Sequence, residues 1–158
     1  MSDADHLARI NVSFARRQLV HDYTSGHASR HTSGSSRSAG RGLRPGRAVS
    51  GIGAYRNWCA RADAIGFPVA GMSMVLELTS DSIVVHTATF VFARPKRRAG
   101  AFPLHEIAQM TTARSLTKTH IVLLFDDGGI IELEATTKRS AQRFVDAVLA
   151  QRDRHNGA

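Results

Sequence analysis

Residues 121–135 read IVLLFDDGGIIELEA, two apolar runs joined by a turn. Asp-Gly between β-rich runs signals a hairpin, because glycine accepts the positive φ that such turns require. Ile131, Leu133 and Ala135 alternate with Glu132 and Glu134, the period of a strand with one face in water. The partner run, Ile121 to Phe125, is apolar on both sides and predicts the more central strand. The period then changes. Thr136 or Thr137 is placed to cap a helix. Ala141, Phe144, Val145, Val148 and Leu149 follow at i, i+3, i+4, i+7, i+8 spacing. Lys138, Arg139, Gln142, Arg143 and Asp146 take the opposite face. Each large apolar side chain buried is worth ~1.5–3 kcal/mol. A helix running to about Gln151 therefore needs a sheet to lie on.

The upstream chain supplies that sheet. From Gly71, the residues Met72, Met74, Leu76 and Leu78 alternate with Ser73, Val75, Glu77 and Thr79, which predicts a strand. Thr79 to Ser82 form a turn, and Ile83 to Ala93 read as a long β-branched and aromatic strand. Pro95 to Gly100 break it as a basic loop. Ala101 to Leu104 and Ile107 to Ala113 are two further strands. The count is six antiparallel strands with short connections and a final helix. Ahead of them, Tyr55, Trp58, Cys59, Ala62 and Ile65 lie at helical spacing, stopped by Gly66-Phe67-Pro68. Tyr55 and Trp58 are expected to pin this helix to the sheet. Cys59 is expected to be an inert buried thiol.

Residues 4–21 fit a helix whose wheel places Leu7, Ile10 and Phe14 on one edge and Arg9, Arg16, Arg17 and His6 on the opposite arc. Such a basic amphipathic segment suits an anionic membrane surface or a partner, through Leu7, Ile10, Phe14, Arg16 and Arg17. Between Thr24 and Ser50, 17 of 27 residues are Ser, Gly or Arg, the composition of a flexible linker. On this reading residues 51–158 fold without residues 1–50, since every strong period lies after the linker.

The formal charge of +8 is unevenly placed: residues 1–68 hold +6 of it and residues 69–158 only +2. The excess describes the N-terminal part, which argues against a domain built for nucleic acid. Any such contact is expected to be weak, nonspecific and confined to the Arg-rich N-terminal part. The single cysteine allows neither an internal disulfide nor a thiolate zinc set. No metal or cofactor is expected. No apolar run approaches the ~18 residues of a membrane span, so the expected location is cytoplasmic, at most peripheral to a membrane.

The succession ELTSDSIVV, a long strand, a basic loop, FPLHEI, VLLFDDGGIIELEA and a closing amphipathic helix resembles bacterial PH-like domains of the pleckstrin-homology and GRAM superfold. The resemblance covers Val69 to Gln151. It implies an α+β, mostly β, split barrel of six or seven antiparallel strands closed by a C-terminal helix, and a binding rather than catalytic role. A seventh strand, if present, is expected near Arg47 to Gly51. The implied layout is a basic helix over 1–23, a linker over 24–50, a helix over 51–68, the PH-like domain over 69–152 and a tail over 153–158.

Within that domain the one cationic cluster is Arg94, Lys96, Arg97 and Arg98, suited to an anionic group through planar bidentate arginine donors. No strand–turn–helix elbow presents a serine, and no His-Glu-x-x-His occurs. His105 and Glu106 project to opposite sides of an extended segment, so they do not form an acid–base pair. The expected function is a non-enzymatic binding or adaptor module for a protein partner. The alternatives are a peripheral module for anionic lipid head groups and the nonspecific nucleic-acid contact.

Overall fold

Ala8–Phe14, read above as part of a helix, form the strand at the middle of the sheet, here called β1. The computed structural model describes residues 7–16, 51–89 and 94–157. Ile10, Val12 and Phe14 face the core at 4–5% exposure, while Arg9 and Asn11 are exposed. That is period two. The Leu7–Ile10–Phe14 spacing fits a helix equally well, but β-branched Ile10 and Val12 favour the extended chain once a sheet offers partners. Residues 4–6 and 17–21 of the expected helix lie outside the described residues.

Strand β1 pairs with β2 (Ser73–Leu78) from Ala8↔Leu78 to Ser13↔Ser73. On its other side it pairs with β7 (Ile130–Ala135) from Val12↔Ala135 to Phe14↔Leu133. Arg9 adds a 2.8 Å ion pair to Glu77 of β2. The seventh strand of the sheet is β1 and not the one expected near Arg47 to Gly51: Gly51 opens a helix, and residues 47–50 lie outside the described residues. The expected self-contained unit of residues 51–158 also takes in a strand from outside it, since β1 lies between its β2 and β7.

The remaining strands are β3 (Ser82–Ala88), β4 (Pro95–Pro103), β5 (Ile107–Arg114) and β6 (Thr119–Phe125). All seven lie antiparallel in one sheet, in the order β4-β3-β2-β1-β7-β6-β5. The sheet curls on itself. Phe102 of the β4 edge packs edge-on against Phe125 of β6 with centroids 5.6 Å apart, although four strands lie between them in sheet order. With helix α2 (Lys138–Asn156) against β1, β5 and β6, this is an α+β, mostly β architecture, consistent with a PH-like split barrel whose split lies between β4 and β5.

Helix α1 (Gly51–Ala64) and the segment after it add to the core. Trp58 is fully buried, and its indole Nε1 donates to the Glu132 carbonyl at 2.9 Å. Glu132 lies one residue before Leu133, where pairing of β7 with β1 ends, so the indole satisfies a carbonyl just beyond the reach of β1. Rings then run from Phe14 and Trp58 through Phe67 to Phe102 and Phe125. Pro68 sits so close to Gly100 that a Cβ there would meet it at 2.8 Å, so β4 passes this point only as glycine. Gly128, at φ 85°, makes the turn between β6 and β7 as its Asp-Gly sequence predicts.

Cys59 is half-buried rather than buried, one helical turn beyond Tyr55. Burial first, then the Cys59 hydrogen bond and charge, push the Tyr55 hydroxyl up to about 12 from 10.0. The shift favours the neutral phenol in the folded state. Its stabilisation is complete below pH 10 and is lost as pH rises through 12. Unfolding stability should therefore fall across that window, and Tyr55→Phe should flatten the fall. An unchanged slope in Tyr55→Phe would assign the alkaline loss to other groups.

Helix α2 is capped by Thr137, whose hydroxyl accepts from the Ser140 amide at 3.1 Å. It runs past Gln151, so Asp153 to Asn156 belong to the helix and not to a tail. Gln151 and Arg152 bond the carbonyls of Ser80, Ile107 and Ala108 and fix that last turn to the barrel. No helix among the described residues is long and apolar enough to cross a membrane.

Candidate functional site

Arg94, Lys96, Arg97 and Arg98 are exposed, as their charge demands, but Lys96, Arg97 and Arg98 lie at the start of strand β4 and not in a loop, with Arg94 just before it. The pairing surface of β3 overrides their low strand propensity. Thr87 accepts the Arg97 amide at 3.0 Å, and Thr89 accepts the Arg94 amide at 3.1 Å. The register shifts twice between Val85 and Ala88, so the strand is bulged where it carries its cations. The expected strand over 83–93 ends at Ala88, and residues 90–93 lie outside the described ones. Among the described strands, β4 has a neighbour on one side only. Its cations therefore flank a strand edge that no other described strand covers.

The N-terminal contact residues separate on folding. Ile10 and Phe14 are core residues at 4% and 5% exposure, so neither can touch a membrane or a partner. Leu7 is half-exposed. Arg16 is exposed, with its amide donating to Glu134 Oε1 at 3.1 Å. Arg17 and the Arg-rich stretch to Ser50, including the nucleic-acid reading placed on it, fall outside the described residues.

Arg16 instead rims a groove of about 1670 Å³ that no local pattern in the sequence announces. Its floor is a polar row across four adjacent strands: Ser73 of β2, Ser13 of β1, Glu134 of β7 and His120 of β6. Met72 on one side and Leu116 in the β5–β6 turn on the other are its exposed apolar flanks. The cations lining it are Arg16, Arg114 and Lys118, against one carboxylate, Glu134, which Lys118 approaches to 3.7 Å. His120 is buried, with Nδ1 3.6 Å from the buried Glu132 carboxylate and no hydrogen bond to a described residue. The groove also takes in Thr89, whose amide bonds the Arg94 carbonyl, so the β4 cations begin at this same end of the barrel.

The other end is acidic. The Leu104 amide bonds the Asp81 carbonyl at 2.9 Å, and the Asp126 amide bonds the Glu106 carbonyl at 3.0 Å. These contacts gather the β2–β3, β4–β5 and β6–β7 turns, with Asp81, Glu106, Asp126 and Asp127 all exposed. Arg152 lies there too, its guanidinium bonded to main-chain carbonyls. The barrel is thus charged along its length, cationic at the groove and anionic opposite.

Among the described residues no group of three or more His, Cys, Asp or Glu is arranged to hold a metal ion. His86 Nε2 lies 3.5 Å from Glu77 and, like His120 Nδ1, makes no hydrogen bond to a described residue. His105 and Glu106 are exposed in a single 3-10 turn, Leu104–Glu106. Neither a protein-family model nor a curated protein matches the chain.

Proposed function

We propose that this chain is a non-enzymatic, cytoplasmic binding module that takes an acidic, extended segment of a protein partner along the edge of β4. The observation that carries the reading is the coincidence, on one strand, of an edge that no described strand covers and three exposed cations, Lys96, Arg97 and Arg98, with Arg94 exposed just ahead of it. An added strand draws affinity from main-chain hydrogen bonds, and alternate side chains give it specificity. Carboxylates on the incoming strand suit arginine forks, which bind them bidentately. Cations on an edge strand also discourage indiscriminate sheet pairing, so they select an acidic strand against a neutral one.

The test is amide shift mapping by NMR with the full chain and a ten-residue peptide alternating Glu and Val. Amides from Lys96 to Phe102 should shift, and Arg97→Ala with Arg98→Ala should weaken binding about tenfold. Shifts confined to another strand, or equal affinity of the double variant, would overturn the reading.

A further inference from the structure

We infer that copies of this chain stack head to tail along the barrel axis, with the acidic β6–β7 turn of one copy seated in the cationic groove of the next. The inference stands apart from the β4 reading, because it uses neither the β4 edge nor the cations on it.

Antiparallel pairing collects the turns of the sheet at two opposite ends of the barrel. At the groove end, Arg16 and Arg114 are exposed and make no ion pair with a described residue. At the far end, Glu106 and Asp126 are exposed and equally without one. The two ends are complementary in shape as well as in sign. One is a concavity of about 1670 Å³, larger than the roughly 300–1,000 Å³ of a small-molecule cleft, which suits a chain segment. The other projects a turn, residues 126–129, closed by three bonds. The Phe125 amide bonds the Gly129 carbonyl at 2.8 Å, the Gly128 amide bonds the Phe125 carbonyl at 2.9 Å, and the Asp127 carboxylate accepts the Gly129 amide at 2.8 Å. A tip fixed in this way has little freedom left to lose on docking.

Apolar groups accompany the charges on both faces. Met72 and Leu116 stand exposed on the flanks of the groove, and half-buried Ile65 and Ile130 lie beside the tip. An apolar contact ringed by charge is the ordinary anatomy of a protein interface. The occupant is a second copy because the complementary surface is on the same chain. Opposite charges at opposite ends cannot meet within one copy, only between copies, and their fields align two barrels as they approach. Such a contact is heterologous. Its two faces point opposite ways, so it repeats along the axis and does not close on a pair.

The experiment is sedimentation velocity of the full chain over a rising concentration series, at about 50 mM and about 300 mM salt. At the lower salt, species larger than two chains should grow in with concentration, and the higher salt should reduce them. Arg16→Glu with Arg114→Glu should weaken association about a hundredfold, because it sets like charges face to face. Glu106→Lys with Asp126→Lys should do the same from the other end. Mixed in equal amounts, the two variants should associate again, since every contact between them joins opposite charges. Their melting temperatures should stay at that of the unaltered chain, as all four side chains are exposed. A chain that stays monomeric, or stops at a pair, would overturn the inference. So would a mixture that stays dissociated, or either variant alone associating as strongly as the unaltered chain. Arg97→Ala with Arg98→Ala should leave association unchanged, and a loss there would move the contact to β4 and overturn the groove as its seat. Failure of the β4 reading shows separately, as an acidic peptide that leaves the β4 amides unmoved.

Discussion

A chain beginning at Gly51 should show no cooperative melting, and a peptide of Leu7 to Arg16 added in trans should restore it. Removing β1 takes Ile10, Val12 and Phe14 out of the core. At ~1.5–3 kcal/mol for each large apolar side chain, that loss alone is on the order of the whole 5–15 kcal/mol stability of a domain. It also strips β2 of six register pairs and β7 of three, opening two new edges in the middle of the sheet. Buried main-chain groups without partners cost further, and bare strand edges invite aggregation. Phe14 is part of the aromatic chain as well, edge-on to Tyr55 at 5.1 Å. The peptide should work in trans because β1's contacts are to strands far from it in sequence, so covalent linkage supplies only concentration. A truncated chain that melted cooperatively at the temperature of the full one would mean that β1 contributes nothing to the fold.

Phe144→Ala should cost ~3–5 kcal/mol, while Arg143→Ala should change stability by less than about 0.5 kcal/mol. Phe144 is 2% exposed at the centre of the α2 stripe, with Ala141, Val145 and Val148 buried around it. Helix α2 covers β1, β5 and β6, so a cavity at Phe144 loosens the lid of the barrel and not a peripheral contact. The neighbouring Arg143 is exposed and carries only its solvated charge. Chemical denaturation of the two variants checks this directly. Equal losses would place the helix face wrongly.

The elements legible in the sequence are those whose partners are local. The β6–β7 hairpin is written in its own Asp-Gly turn, and α2 in its apolar spacing and its Thr137 cap, although Glu132, which the alternation places in water, is buried. Strand β2 and the start of α1 likewise carry one period each, with no competing reading. Their apolar residues recur at the period of one element type, so periodicity identifies the element even where, as at Val75, Val122 and Glu132, the second face is buried as well.

Tertiary structure decided the rest. In Ala8–Phe14 the positions 7, 10 and 14 suit a helix and 10, 12 and 14 suit a strand. The tie was broken by the slot between β2 and β7, whose donors and acceptors need a strand. At Pro95 to Arg98 composition points to a loop, yet the edge of β3, with Thr87 and Thr89 accepting amides, drew the chain into the sheet. The groove was never legible, because Ser13, Met72, Leu116 and Glu134 come from four distant segments and meet only when the sheet is paired. Sequence by itself set which faces are apolar, through short-range alternation. Which strand lies beside which, and therefore which charges share an end of the barrel, was set by long-range pairing.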